Sequence, residues 1–370
     1  MYYNFSILKI LIITFLTFVF LDLIIGKTIY KKFIRVNFVD QDTTFSVKDD
    51  VYDHKFLPSY KTNAAGWGKK RYTFCTDANG FRSSCREQFS NNKEFDIGFA
   101  GDSFTEGIGV DYDKSFVGII SNKLNEKKIA NLGVASYSPS IHFAKINYLL
   151  SQGYKFKEII VFVDLSDLRD DTVCYKLDNK FIKRIDNNSN CHIIPLSRSD
   201  RLKEFLENKF ILSFQLYNLI ENKLIALNIL SYRVPKKLIN NPNSNWTYNY
   251  DSKNYKNLSF DESKNIMLTN MKKLSDLLKE NQIEMSLAVY PWPGTLLKDQ
   301  KENKHLKLWK AFCKANCKNF YNFMDPFFEM LKNDKFSNVY EKVYIKEDVH
   351  FNELGNEIIA NNFLKLYKSR

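Results

Sequence analysis

The sequence contains no block of basic residues of the kind that grips a phosphate backbone, although 54 Lys and Arg against 42 Asp and Glu leave a formal net charge of +12. Because nucleic-acid-binding chains usually concentrate their positive charge, we expect no nucleic acid among the partners. A diffuse positive excess fits the surface of an anionic membrane better.

Signatures of bound metals and phosphates are also missing. No His-x-x-x-His or Cys-x-x-Cys spacing occurs, and His54, His142, His192 and His305 follow no ligand pattern. A zinc site needs three or four converging ligands. The stretch at residues 101–110 lacks the lysine of a phosphate-binding loop. The sequence therefore predicts neither a metal nor a cofactor.

A chain of 370 residues, 44% of them hydrophobic, is long enough to bury one large core or two modest ones. This length and composition exclude an intrinsically disordered chain, a collagen and a small disulfide scaffold. No internal repeat is visible.

Only one long hydrophobic run is present, at residues 5–25. About 20 such residues can cross a bilayer, which is longer than the apolar stripe of a usual core helix. No small-x-small cleavage pattern follows the run, whose exit reads Gly26-Lys27-Thr28. We expect an uncleaved single-pass membrane anchor over residues 1–26, with a buried core helix as the alternative.

Two features disagree on which side of the membrane the body lies. Basic residues follow the run, at Lys27, Lys31, Lys32 and Arg35, and the positive-inside rule would keep the body cytoplasmic. The six cysteines fall into local pairs that suit an oxidising space, namely Cys75 with Cys85, Cys174 with Cys191, and Cys313 with Cys317. Spacing does not prove pairing, and the last two could simply face a core. We favour a periplasmic or otherwise extracytoplasmic body.

Beyond a linker and packing segment at residues 27–94, short β-branched or aromatic runs alternate with helical periods, which is typical of a parallel sheet covered on both faces. The predicted strands are residues 95–100, 129–134, 158–165, 283–290 and 319–323. More than a hundred residues separate the third strand from the fourth, too many for a plain crossover. We expect a cap insertion at about 170–265 in this α/β domain of residues 95–370, with Trp246, Tyr248 and Tyr250 available to shape a pocket.

A serine stands at the end of the first predicted strand, in Gly-Asp-Ser-Phe-Thr-Glu-Gly at residues 101–107. The carboxyl ends of parallel strands form the ligand crevice, and a helix beginning there offers backbone donors to a developing oxyanion. Ser103 is thus a candidate nucleophile. The alternative is that Asp102 or Ser103 merely caps the helix.

A serine hydroxyl needs a base, and His350 lies on a predicted loop before the C-terminal amphipathic helix. Asp348, two residues earlier, could orient the imidazole. The alternative for His350 is an ordinary residue at a helix start, with Asn352 as the cap.

Taken together, three blocks resemble the SGNH/GDSL hydrolase family: residues 101–107, Asn131-Leu132-Gly133, and Asp348-x-His350. The resemblance covers roughly residues 95–365. It implies a flavodoxin-like three-layer sandwich in which Ser103 attacks an ester carbonyl with His350 as base. It also implies an oxyanion hole built from the backbone N–H groups of Ser103 and Gly133 and a third donor.

Two departures from the family pattern stand out. Where the family places an asparagine as the third oxyanion donor, this chain has Ser166, whose hydroxyl reaches less far than an amide. The common acid spacing is Asp-x-x-His, yet Glu347 stands three residues before His350. A subset of bacterial polysaccharide-associated members resembles Asp-x-His, so we prefer Asp348 and keep Glu347 in reserve.

The resemblance and the anchor together predict a membrane-anchored serine esterase that forms an acyl-serine intermediate. The expected substrate is an O-acyl group of a carbohydrate or of a lipid-linked envelope glycan, and the membrane is the other expected partner. A polysaccharide O-acetyltransferase and a catalytically inactive carbohydrate-binding protein are the alternatives. Trp292, at the end of the fourth predicted strand, is either a pocket wall or packing.

Overall fold

The computed structural model describes residues 2–29, 41–68, 70–185, 198–227, 229–230 and 232–368. The chain forms two compact units. The first consists of Met1–Asp40 and Pro195–Arg233, and the second of Gln41–Ile194 and Val234–Arg370.

The strands are β1 (Ser46–Asp49), β2 (Asp53–Phe56), β3 (Lys61–Trp67), β4 (Lys70–Cys75), β5 (Glu94–Ala100), β6 (Ile129–Asn131), β7 (Lys155–Val163), β8 (Tyr175–Asp178), β9 (Phe181–Arg184), β10 (Glu284–Val289) and β11 (Asn319–Asn322). The helices are α1 (Tyr2–Leu21), α2 (Lys27–Ile29), α3 (Ser103–Glu106), α4 (Phe116–Lys123), α5 (Pro139–Ser151), α6 (Asp167–Arg169), α7 (Arg198–Lys209), α8 (Ile211–Ala226), α9 (Lys236–Ile239), α10 (Phe260–Glu280), α11 (Pro293–Lys298), α12 (Lys304–Asn316), α13 (Met324–Asn333), α14 (Phe336–Val343) and α15 (Glu353–Lys368).

The first unit contains the hydrophobic run. It is helical through α1 and continues as a π-helical turn over Asp22–Gly26. Residues Lys9–Gly26 have a mean hydropathy of 2.3 and are long enough to cross a membrane. The helices α7 and α8 belong to the same unit.

A five-stranded sheet organises the second unit, and every pairing within it is parallel. The strand order is β6-β5-β7-β10-β11, which is 2-1-3-4-5 in order along the chain, the flavodoxin-like arrangement. The central strands read as continuous apolar runs because helices cover the sheet on both sides. Helix α4 packs on α15 and α5 on α10. The five predicted strands and the α/β three-layer fold are confirmed.

Residues 41–94 pack onto the sheet domain through two antiparallel hairpins, β1–β2 and β3–β4. Their aromatic side chains join a core that includes Phe45 and Phe74 from this segment and Tyr137 from the sheet domain. A disulfide between Cys75 and Cys85 closes the segment, as the spacing predicted.

The other cysteines differ from this pair. Cys313 and Cys317 are free thiols, and the Cys313 Sγ donates to the Asn319 carbonyl at 3.2 Å, so the core alternative holds for Cys313. Cys174 is buried. Its predicted partner, Cys191, lies outside the described residues.

The long insertion is divided between the two units, because residues 195–233 group with the N-terminal helix. In the second unit, the Trp246 indole is 1% exposed and donates to the Leu165 carbonyl at 2.8 Å. The hydroxyls of Tyr248 and Tyr250 donate to backbone carbonyls of their own segment. Trp246 is therefore a buried residue hydrogen-bonded just beyond the carboxyl end of β7.

Candidate active site

Ser103 is the first residue of α3, directly beyond the carboxyl end of β5. The Asp102 side chain caps this helix by accepting the Phe104 N–H at 3.0 Å. Asp102 thus supplies the cap that the sequence left open. The Ser103 hydroxyl lies 3.1 Å from the other Asp102 carboxyl oxygen and therefore has both Asp102 and His350 as neighbours. The Ser103 N–H lies in the first helical turn, where no intrahelical acceptor exists.

His350 reaches Ser103 from the loop between α14 and α15. Its Nε2 lies 2.8 Å from the Ser103 Oγ, and its Nδ1 lies 2.5 Å from the Asp348 Oδ1. Asp348 accepts the proton-bearing Nδ1–H, which leaves the Nε2 lone pair facing the hydroxyl. This is the arrangement by which a serine is activated. All three predicted residues meet, although 247 positions separate the serine from the histidine.

Asp348 is held on several sides. The Trp67 indole N–H donates to its second carboxylate oxygen at 2.8 Å, and the His350 backbone N–H donates to its first oxygen at 2.9 Å. The Tyr340 hydroxyl accepts the Asp348 N–H at 3.0 Å. Burial acts to raise the pKa of Asp348, but His350 and these hydrogen bonds hold it below the ordinary value of 3.8. The Asp348 carboxyl is therefore kept ionised beside the imidazole. Glu347, the residue before Asp348, has a left-handed backbone conformation with φ of 63°.

The two further predicted oxyanion donors have partners of their own. Gly133 donates its N–H to the Asn131 Oδ1 at 3.0 Å, and its backbone is packed against α3 so closely that a Cβ would lie 2.6 Å from the Glu106 nitrogen. Ser166 donates its N–H to the Asp164 Oδ1 at 2.7 Å, and its hydroxyl hydrogen-bonds to Asp170. Their assignment to the oxyanion hole stays a prediction.

A buried polar network lies behind the serine. Asp102 and Asp164 both accept from the Tyr290 hydroxyl, at 3.2 and 2.5 Å, and the Trp292 indole N–H donates to Asp164 at 2.8 Å. Burial, followed by the nearby Asp164, raises the pKa of Asp102 well above its ordinary value. Trp292, 4% exposed, is accordingly a packing and hydrogen-bonding residue.

Arg82 fixes the loop that follows the serine helix. Its buried guanidinium donates to the carbonyls of Glu106, Gly107 and Val110 at 2.5 to 2.6 Å. It also lies over the Phe74 ring, 5.1 Å from the centroid. Gly107 ends the helix with φ of 80°, a conformation that favours glycine. Arg82, which belongs to the segment of residues 41–94, therefore shapes the loop that follows the Ser103 helix.

We expect Arg82→Met to lower the free energy of unfolding by at least about 3 kcal/mol, because three buried carbonyls would lose their donor. Urea denaturation followed by tryptophan fluorescence measures this loss, since all four tryptophans lie in the second unit. Arg86→Met, at an exposed position four residues away, should change stability by no more than about 0.5 kcal/mol. Equal effects of the two changes would contradict the role given to Arg82.

A cavity of about 250 Å³ is linked to the triad through Trp67, which lines it, whereas Ser103, Asp348 and His350 are not among its lining residues. Trp67, Tyr72 and Tyr175 supply aromatic surface to its lining, and His54, Glu106 and Arg184 supply polar groups. Trp67 contacts both the cavity and the triad. Its indole N–H donates to Asp348, and its ring lies edge-on to the His350 ring with 5.2 Å between the ring centroids.

Glu106 is the buried acid of this cavity, and its carboxylate accepts the Ala135 N–H at 2.8 Å. Burial raises the pKa of Glu106 from 4.5 to about 6, although Arg82 acts to lower it. The stability that this group contributes is therefore fully present below pH 4.5 and is lost as the pH rises through about 6.

Glu106→Gln removes that loss. We compare the free energy of unfolding of the variant with that of the unchanged protein. This difference should shift in favour of the variant by about 2 kcal/mol between pH 4 and pH 8, which corresponds to the pKa difference. Urea denaturation at both pH values measures the change. Glu280→Gln, at an exposed position, serves as the control and should show no such dependence. A Glu106→Gln profile parallel to that of the unchanged protein would contradict the raised pKa.

No protein-family description and no curated protein matches the sequence. Several solved structures are similar to the chain. A member of the lipolytic protein G-D-S-L family from Veillonella parvula is 13% identical, with a TM-score of 0.39 over 74% of this chain and 98% of its own. A psychrotrophic esterase from Pseudoalteromonas is 10% identical, with a TM-score of 0.38 over 75% and 98%. A catalytic mutant of an acetylxylan esterase from Geobacillus stearothermophilus is 10% identical, with a TM-score of 0.39 over 74% and 93%.

Sequence reasoning missed the supporting residues of the site. Trp67, Arg82 and Glu106 all contact it, yet none stands in a pattern that marks a partner. For Trp67 and Arg82 the sequence analysis gave only a linker and packing segment at residues 27–94, and Glu106 stood in the block at residues 101–107 without a predicted role.

Proposed function

We propose that this protein is a serine ester hydrolase with Ser103 as nucleophile, His350 as general base and Asp348 as the residue that orients the imidazole. The observation that carries the proposal is the continuous hydrogen-bonded line from the Asp348 carboxylate through both His350 nitrogens to the Ser103 hydroxyl. The resemblance of the sequence blocks to SGNH/GDSL hydrolases supports the same reaction.

The reaction proceeds in two halves. His350 Nε2 takes the hydroxyl proton as the Ser103 Oγ attacks the ester carbonyl, giving a tetrahedral intermediate. Its collapse breaks the bond to the alcohol oxygen, which receives the proton from His350, and leaves an acyl-Ser103. Water then attacks the acyl group, with His350 again taking and returning the proton, and the carboxylic acid is released. We assign the Ser103 N–H as a donor to the oxyanion in both halves, and its position in the first turn of α3, without an intrahelical acceptor, supports this role.

The proposed substrate is a short O-acyl group on a carbohydrate. The cavity beside the triad is small, and it combines aromatic rings with side chains that can hydrogen-bond to hydroxyl groups. His54 and Arg184 are held in place there by the Asp53 carboxylate, at 2.7 Å from His54 Nδ1 and 2.7 Å from Arg184 Nε. The His54 Nε2 lies 2.8 Å from the Ala135 carbonyl oxygen, so both nitrogens of this ring already have protein partners. We assign this cavity to the part of the carbohydrate next to the ester.

We place the enzyme at a membrane, with its body on the extracytoplasmic side. The apolar helix Lys9–Gly26 supports an N-terminal anchor. The Cys75–Cys85 disulfide supports an oxidising compartment for the second unit.

Labelling with a fluorophosphonate probe tests the proposal. The full-length protein in detergent should become labelled, and mass spectrometry should find the adduct on Ser103. His350→Ala should lose the label, whereas His142→Ala, which removes a buried histidine of α5, should keep it. A label on another serine, or one that survives in His350→Ala, would refute the assignment.

A further inference from the structure

The helix α8 carries large apolar side chains that the described residues of its own unit leave exposed. Leu219 is 66% exposed, and Leu227 and Ile229, just beyond the helix, are 60% and 65% exposed. Leu216, Tyr217 and Ile220 are also about half exposed. Leu216, Tyr217, Leu219 and Ile220 lie on one half of the helix, whereas the polar residues Gln215, Asn218, Glu221 and Asn222 lie on the other half. Helix α8 is therefore amphipathic, with its exposed apolar side chains on one side.

The preceding helix, α7, has a different pattern. Its exposed apolar residues are Leu202, Phe205 and Leu206, whose spacing of three and four places them on one face. Charged residues such as Glu204 and Glu207 occupy the opposite face. An amphipathic helix of this kind lies along a membrane surface with its apolar face in the lipid.

Asp22 joins α8 to the anchor helix. It is the one acidic residue of the hydrophobic run at residues 5–25. Its carboxylate is 1% exposed and accepts the backbone N–H groups of Leu212 and Ser213 at 3.0 and 2.7 Å. Gly26 allows this approach, because a Cβ there would collide with the Asp22 carboxylate.

This contact satisfies two requirements of a lipid environment. A carboxylate inside an apolar segment is costly unless it is paired, and the first N–H groups of a helix need an acceptor where water is missing. The contact holds the start of α8 beside Asp22, near the C-terminal end of the apolar run, where a spanning helix leaves the hydrocarbon.

We propose that α7 and α8, with Leu227 and Ile229 just beyond α8, lie along the surface of the bilayer that holds the anchor helix, with their exposed apolar side chains in the lipid. Helix α8 does not cross the bilayer, because its 16 residues extend about 24 Å, less than the roughly 30 Å hydrocarbon core. The occupant of the exposed apolar surface is thus lipid. This inference rests on the proposed anchor but not on the proposed reaction.

Tryptophan quenching by brominated phosphatidylcholine tests the inference in full-length protein reconstituted in vesicles. The readout is the emission that an added tryptophan contributes beyond that of the unchanged protein. Leu219→Trp should lose most of this added emission when the lipid is brominated. Phe15→Trp in α1 should be quenched as well, whereas Phe89→Trp, at a 79% exposed position of the second unit, should keep its emission.

Each other outcome overturns the inference. An unquenched Leu219→Trp next to a quenched Phe15→Trp would mean that water, a second copy or another protein covers α8. An unquenched Phe15→Trp would show that α1 does not lie in the bilayer and would refute the anchor on which the inference rests. Quenching at Phe89 equal to that at Leu219 would show unspecific contact with lipid. Esterase activity of the same variants reports separately on the proposed reaction, because none of the three changes touches the triad.

Discussion

Ser103→Ala should abolish hydrolysis of a chromogenic acetyl ester, with kcat lowered roughly 10⁴- to 10⁶-fold. The change removes the one atom that forms the acyl bond, while Asp102 continues to cap α3 through the Phe104 N–H. The folded structure should therefore survive, and circular dichroism together with the urea transition checks this. Steady-state kinetics with the full-length protein in detergent measures the loss.

A second substitution, His350→Gln, should lower kcat by about the same factor as Ser103→Ala. Since hydroxyl and imidazole act as one unit at 2.8 Å, the double variant should be no slower than the worse single variant. If the loss in kcat of the double variant equalled the product of the two single losses, the two side chains would act independently. Residual activity in Ser103→Ala close to that of the unchanged protein would place the nucleophile elsewhere.

Asp348→Asn is expected to lower kcat about 10⁴-fold, the size of the effect that the equivalent change has in serine proteases. An amide cannot hold the imidazole with its proton on Nδ1 as a carboxylate does, and it carries no charge to stabilise the imidazolium. The Trp67 N–H, now 2.8 Å from a carboxylate oxygen, can still find an acceptor in the amide, so the loss should fall on kcat and not on folding.

Glu347→Gln is the matched control, because it makes the same chemical change one residue away. It should leave kcat within about a factor of two, an effect below about 0.5 kcal/mol. A greater loss in Glu347→Gln than in Asp348→Asn would transfer the acid role to the residue that fits the commoner family spacing. Similar losses in both would point to a general disturbance of the loop between α14 and α15.

The sheet could be predicted because its pattern is local. Strands buried on both faces show as short apolar runs, and β5, β7, β10 and β11 all lie within or beside the residues expected. The strand order needed the resemblance to a family or the structure itself, since a run of hydrophobic residues does not say which neighbour it pairs with. The long insertion was the part of the fold that the sequence predicted least well. The helical periods at residues 211–227 do not reveal whether protein or lipid covers their apolar side chains.

Local chemistry also explains which parts of the site were foreseen. A serine after a buried strand and a histidine with a nearby carboxylate are recognisable residue types in recognisable places, and the structure brings Ser103, His350 and Asp348 into hydrogen-bond contact. For Gly133 and Ser166, in contrast, function depends on which atoms their N–H and hydroxyl groups face. Both groups have acceptors within the protein that spacing did not indicate.

Residue types and spacing thus indicated the parallel sheet, the apolar N-terminal helix and the candidates Ser103 and His350. The choice of Asp348 over Glu347 needed the family resemblance, and the Cys75–Cys85 pair was one of several possible pairings. Packing decided the rest: Trp67 against Asp348 across 281 positions, Arg82 on the nucleophile loop, and Asp22 at the start of α8 across 190. The reason is that periodicity and turn chemistry act between near neighbours, whereas a buried donor takes whichever acceptor the folded chain brings within about 3 Å.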